Sequence, residues 1–233
     1  MPTARGIYPY SQPIVGGSPN FLVGSLTVAK GATINADAKG FWGKTYDNGY
    51  GPGGGLKAAE LKSGGGGYGG RGGQAGATYP NSFGPTYGSS NAPTAPGSGG
   101  GSGYSYCPGG RGGGLVWVRA SGTITLDGTI TANGTSGSSQ HNAGGSGGGI
   151  YLSCRKLAGT SGTLSAKGGD GKASGSEGGG GGGRIAIWRM RGDPAVFTYN
   201  VTNGVGTDLP DNAAAGTTYW GQLPASGTVM LLR

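Results

Sequence analysis

Short runs in which apolar and polar side chains alternate recur along the chain, and several of them follow directly on glycine. In "LVWVRA", Leu115, Trp117 and Arg119 share one side while Val116, Val118 and Ala120 share the other. In "RIAIW", Ile185 and Ile187 oppose Arg184, Ala186 and Trp188. Successive side chains of a strand point to opposite faces, so each run reads as a β-strand with one face in a core. The stretch "GTITLDGTITANG" sets Thr123, Thr125, Thr129 and Thr131 against Ile124, Leu126 and Ile130. Threonine suits a pleated, half-solvated face, which leaves the aliphatics as inward candidates.

These strands repeat. Triple glycine followed by a strand occurs as "GGGLVWVRA" from Gly112, "GGGIYLSCR" from Gly147 and "GGGRIAIWR" from Gly181, offsets of 35 and 34 residues. "GTITANGTSG" from Gly128 and "GTLSAKGGDG" from Gly162 are again 34 apart, and "GATINADAKG" from Gly31 is an upstream copy. Short strands punctuated by glycine at a fixed period predict an all-β fold, a β-solenoid or β-helix-like stack with long Gly/Tyr loops. The expected organisation is an N-terminal extended segment over 1–23, a glycine-rich repeat domain over 24–193 with an insertion at about 41–111, and closing strands over 194–233, read from "AAAGTTYW" and "GTVMLL".

Composition adds a demand to this picture. Glycine fills 60 of 233 positions, and such richness without a Gly-X-Y period ordinarily signals disorder. An ordered glycine costs roughly 0.5 to 1 kcal/mol relative to alanine, so only a regular gain elsewhere offsets it. Apolar residues at 33%, with twelve Tyr and four Trp, allow one modest core. Glycine chains can extend as polyproline-II-type helices without internal hydrogen bonds, and packing several side by side would satisfy their backbones. The fold is therefore expected to contain packed polyglycine-II-type segments. The run Gly178–Gly183 should be paired through its backbone to neighbours, with Ile185 and Ile187 in the core.

The order "GGYGGRGG", "PGSGGG", "GGRGGG" plus strand, "GTITLDGTITANG", "GGSGGGIYL", "GTLSAKGGDG" and "GGGGGGRIAIW" resembles a glycine-rich repeat domain of large bacterial and eukaryotic surface proteins, over roughly Gly24 to Trp188. Through glycine clustering and loop alternation it is also similar to the glycine-rich tip adhesins of T-even-like phage tail fibres. That second resemblance implies a domain of packed polyglycine-II helices that displays variable loops to a host. Neither resemblance brings a catalytic residue.

Net charge is +8, which favours an anionic partner such as a cell-surface glycan or an outer-membrane receptor. The basic residues are scattered without a run of five, so nucleic-acid binding is not expected. The opening "MPTARGIYPYSQPIVGGSPN" lacks the apolar core of a secretory signal, and no stretch approaches transmembrane length. Phosphate-loop chemistry fails at Ala173, which stands in "GGDGKAS" where Ser or Thr is needed. His141, Cys107 and Cys154 lie in three different contexts and make a poor zinc set; His141 reads as a loop residue. Asp37, Asp47, Asp127, Asp170, Glu177 and Asp193 sit mostly beside glycine, as turn residues do. No catalytic residue, metal or cofactor is expected, and the chain is not expected to be an enzyme. Arg191-Gly192-Asp193 spells an integrin tripeptide, but Pro194 makes it a simple turn. Cys107 and Cys154 are compatible with one disulfide or with two free thiols.

Aromatic side chains among Gly, Ser, Asn and Pro carry the stronger signal: Trp42, Tyr46, Tyr50, Tyr68, Tyr79, Phe83, Tyr87, Tyr104 and Tyr106. Tyr with such neighbours is the composition of adaptable binding loops, although rings that cap the glycine stack would look the same. The expectation is a non-enzymatic structural and adhesive protein on a virion surface or extracellular, a tail-fibre tip or host-recognition subunit joined to a fibre protein. The alternative is a self-associating subunit of a bacterial extracellular filament or matrix.

Overall fold

Where the sequence alternates, the chain is extended. The structure, a computed structural model, describes residues 17–172, 175–191, 197–207 and 210–224. Their strands are β1 (Asn20–Val23), β2 (Leu26–Val28), β3 (Thr33–Asn35), β4 (Lys57–Ala59), β5 (Lys62–Ser63), β6 (Leu115–Ala120), β7 (Thr123–Leu126), β8 (Thr129–Thr131), β9 (Gly149–Ala158), β10 (Thr163–Ser165), β11 (Ser176–Glu177), β12 (Arg184–Arg191), β13 (Thr198–Asn200) and β14 (Thr217–Gln222). The described residues contain no helix. "GTVMLL" and the Gly192-Asp193 part of the tripeptide lie outside them, as do the first sixteen residues.

The main sheet is seven-stranded and parallel, in the order β1-β6-β9-β12-β14, with β7 pairing both β2 and the end of β9. A second parallel sheet runs β13-β10-β8-β3, and a third runs β11-β5-β4 with β4 and β5 antiparallel. Val116, Val118, Ile150, Leu152, Ile185 and Ile187 of the main sheet pack with Ile124, Leu126, Ile130 and Leu164 in one core. Thr123, Thr125, Thr129 and Thr131 stay half-buried beside it. Both faces of a parallel sheet need cover, which helices usually give. Here the second sheet supplies one cover, through Ile130 of β8 and Leu164 of β10, while the other face carries Trp117, Arg119 and Tyr151.

The expected uniform β-solenoid stack with packed polyglycine-II-type segments is not what forms. Strands gather into three sheets of unequal size, two of them parallel and one mixed. β9 runs unbroken for ten residues, whereas its neighbour breaks between β6 and β7, so the ladder branches instead of repeating. The 41–111 insertion joins through β5 to β11 and so adds a sheet of its own. The glycine runs have no repeating secondary structure.

Their backbones are nonetheless paired. Gly178 N–H donates to Ser63 O at 2.9 Å, Gly180 to Gly169 O at 2.8 Å, Gly181 to Gly66 O at 2.9 Å, Gly182 to Ala214 O at 3.0 Å and Gly183 to Ala166 O at 2.7 Å. Gly179 N–H donates to Asp211 Oδ1 at 2.9 Å. Six consecutive donors thus reach six different residues, so the run ties separate segments together. Carboxylates serve the same end: Asp37 accepts from Asn133 N–H, Asp127 from Thr160 N–H and Asp170 from Val205 N–H.

Candidate functional site

The glycine segments turn back at a set of loops, and hydrogen bonds join these loops into one end of the molecule. Thr45 bridges Pro108, and Ser102 bridges Asn142. Ser102 N–H donates to Asp47 O at 3.0 Å, Leu61 N–H to Gly103 O at 2.9 Å, and Gly103 N–H to His141 O at 3.0 Å. Ser63 Oγ donates to the same His141 carbonyl at 2.9 Å. The buried Ser102 hydroxyl lies 2.7 Å from Asn142 Oδ1. Segments far apart in sequence therefore present one ordered loop surface.

His141 is more than a loop residue. Its φ of 64° is a left-handed conformation, held by the two bonds to its carbonyl. Its Nδ1 lies 3.2 Å from Oε1 of Glu177, whose carboxylate is buried. Thr207 Oγ1 donates to the other Glu177 oxygen at 2.6 Å. This pair clasps three loops, a structural use for two polar side chains that sequence context does not link.

Six of the nine loop aromatics carry a cation on the ring, the buried Tyr68 receiving Arg184 at 5.4 Å and the other five lying nearer the surface. Lys57 Nζ lies 3.1 Å from the Tyr46 centroid, Lys44 4.8 Å from Tyr50, and Lys62 5.8 Å from Tyr79. The Arg111 guanidinium stands 3.9 Å from Trp42, and Arg71 5.2 Å from Phe83. Each such contact is worth about 0.5 to 1 kcal/mol at an exposed site. Lys44 also pairs with Asp47 at 2.8 Å, and the hydrogen bond to Lys44 holds the Asp47 carboxyl below its usual range. Tyr104 packs against Tyr106 at 5.3 Å and against His141 at 5.8 Å, while Tyr106 itself is 80% exposed. The surface is thus aromatic, cationic and rigidly backed, which suits an anionic, hydroxyl-bearing ligand.

Tyr68 and Tyr87 do not belong to it. Tyr68 is fully buried, and its ring packs 4.8 Å from that of Tyr87. Together they seat Arg184, whose Nη2 donates to Tyr68 O at 3.2 Å and to Tyr87 O at 2.8 Å. Nη1 of the same guanidinium donates to Thr217 Oγ1 at 3.1 Å. The charge is met by oriented carbonyls and ring faces, so these two tyrosines close the core. Burial raises the Tyr68 phenol to about 12 and pushes Tyr87 further in the same direction.

Sequence reasoning missed the cations that complete the loop rings: Lys44 meets Tyr50 within one loop, but Lys62 and Arg111 reach Tyr79 and Trp42 from other segments. Arg111 lies far along the chain from Trp42, and no local pattern joins them. Comparison with known proteins finds no matching family model, no matching curated protein and no matching solved structure.

Both cysteines are free thiols. Cys154 lies in the core on β9 while Cys107 belongs to the loop end, so the disulfide alternative falls away. Burial pushes the Cys154 thiol up to about 11. A water-soluble thiol reagent is expected to label Cys107 in the native protein and Cys154 only after unfolding, as mass spectrometry of the labelled peptides would show. Equal labelling of both in the native state contradicts this placement. Among the described residues no group of three His, Cys, Asp or Glu side chains could hold a metal ion, and no helix is long and apolar enough to cross a membrane.

Proposed function

We propose that this chain is a non-enzymatic, surface-displayed structural and adhesive protein that recognises a host through its loop end, as a phage tail-fibre tip or other virion-attached subunit would. The observation that carries this reading is that Trp42, Tyr46, Tyr50, Tyr79 and Phe83 each carry a cation on the ring. Rings and cations on loops tied down by backbone bonds present contact area at little entropic cost. An acidic glycan of a cell surface matches that chemistry, because carboxylates pair with Lys and Arg while sugar faces lie on rings.

Labelled protein is expected to bind intact cells of a susceptible host saturably. Replacing Lys57 and Arg111 together by Ala should weaken that binding about tenfold, the equivalent of roughly 1.4 kcal/mol. The variant should remain folded and melt only slightly below the parent, since each substitution removes one ring contact worth about 0.5 to 1 kcal/mol. Failure of the parent to bind such cells, together with antibodies that do not label virions, overturns the proposal.

A further inference from the structure

The outer face of the main sheet carries a second feature that the loop end does not explain. Opposite the core, register aligns Trp117 with Tyr151, and then Leu22 with Arg119 and Ser153. The Trp117 and Tyr151 rings stack at 5.1 Å with planes 12° apart, and the Arg119 guanidinium lies 5.7 Å from the Trp117 ring. Beside this rigid apolar wall a trough of about 580 Å³ crosses the C-terminal ends of the strands, lined among others by Leu22, Arg119, Ser153, Arg155, Met190 and Leu223. Its lining comes from β1, β6, β9 and β12 and from the residue just after β14, so at the usual strand spacing it extends about 19 Å.

Charge and shape restrict the occupant. Arg119 and Arg155 are both exposed, and among the described residues no acidic side chain lines the trough. Leu22 is 72% exposed at its rim, which places apolar contact next to the cations. An extended peptide recognises a sheet by adding to its edge through backbone bonds. This trough crosses the strands, where ladder groups are already paired, so recognition must go through side chains. A planar guanidinium forks a carboxylate with two parallel bonds, and Ser153 adds a hydroxyl that meets another hydroxyl.

We propose that this trough is a binding site for a carboxylate-bearing oligosaccharide, separate from the loop end. The sugar carboxylates engage Arg119 and Arg155, and the apolar faces of the rings lie along Leu22 and Met190. The site is independent of the host-recognition reading.

Calorimetric titration with hexagalacturonate tests it, with maltohexaose, an acidic hexapeptide and anionic phospholipid vesicles as comparison probes. Hexagalacturonate is expected to bind and maltohexaose not to. Replacing Arg119 and Arg155 by Ala should weaken binding about tenfold or more, as for the loss of one or two charge-assisted hydrogen bonds. The component of hexagalacturonate binding that the Arg119→Ala/Arg155→Ala variant loses should persist in the Lys57→Ala/Arg111→Ala variant, which separates this trough from any acidic-glycan binding at the loop end. No binding of hexagalacturonate, unchanged binding by a folded Arg119→Ala/Arg155→Ala variant, or tighter binding of the peptide or vesicles each overturns the proposal. Since cell adsorption is measured with the loop variant, either proposal can fail while the other stands.

Discussion

Gly180→Ala is expected to destabilise the protein by more than about 3 kcal/mol, at the upper end of what overpacking costs. A Cβ at Gly180 would overlap the Gly145 carbonyl and stand 3.0 Å from the Ser146 nitrogen. Both obstacles are backbone, so no side-chain rotation relieves them. The glycine also donates to Gly169 O and accepts from Gly204 N–H, each at 2.8 Å, which fixes it between two further segments. Moving away from Gly145 therefore breaks hydrogen bonds on the other side. Gly24→Ala is the matched control, because a Cβ there meets nothing within 4 Å. That change should be neutral to within about 0.5 kcal/mol, or slightly stabilising through the unfolded chain. Urea denaturation of the two variants decides the matter, and equal midpoints would show that the glycine segments are loosely packed.

The same contrast explains what glycine contributes here. Its entropic handicap is offset where backbones approach closely enough to bond across segments, as at Gly144 and Gly147, where an added Cβ would crowd the nitrogens of Gly180 and Gly183 at 2.9 Å and 2.6 Å. The strand-entry repeat made the Gly178–Gly183 run legible as structure rather than linker. Alternation likewise located Ile185 and Ile187, each only 1% exposed. What periodicity could not supply is the partner of a non-periodic segment. β5 pairs with β11 across more than a hundred residues, and nothing in "LKSGGG" or "SEGGGG" specifies that pairing. The repeating part of the chain predicts a regular stack, but the insertion over about 41–111 does not repeat and pairs by contacts of its own.

The loop aromatics show a similar limit. Tyr68 and Tyr106 both sit among glycine and serine, yet one is fully buried and the other 80% exposed. The deciding residue is Arg184, whose guanidinium gathers Tyr68 and Tyr87 carbonyls from the insertion. Trp117 and Tyr151 show a different limit: alternation puts Trp117 with Arg119 opposite the core, but the offset of 35 between their two triple glycines would set Leu152 beside it, whereas the observed register sets Tyr151 there. The glycine repeat is thus one residue out of step with the ladder, and only the register itself brings the two rings together.

Stability is expected to fall steeply above pH 10, with Tyr68 as a leading cause. Its phenol is raised from 10.0 to about 12 by burial, which the neighbouring Arg184 only partly offsets. In the unfolded chain the same phenol ionises near 10. Between these values the folded state holds a proton that the unfolded state has lost, so unfolding becomes easier as pH rises. The contribution is complete below pH 10 and is lost as pH climbs toward 12. Two units correspond to roughly 3 kcal/mol, a large share of a typical domain's stability. Tyr87, displaced in the same direction, adds to the slope. Tyr68→Phe removes one titrating group and keeps the ring against Tyr87. Its stability relative to the parent should therefore rise progressively from pH 10 to 12 while changing little with pH between 7 and 9. Denaturation curves for the two proteins across that range measure the difference directly. Parallel losses above pH 10 would mean that Tyr68 is reached by solvent, and with it that the Arg184 seat is open.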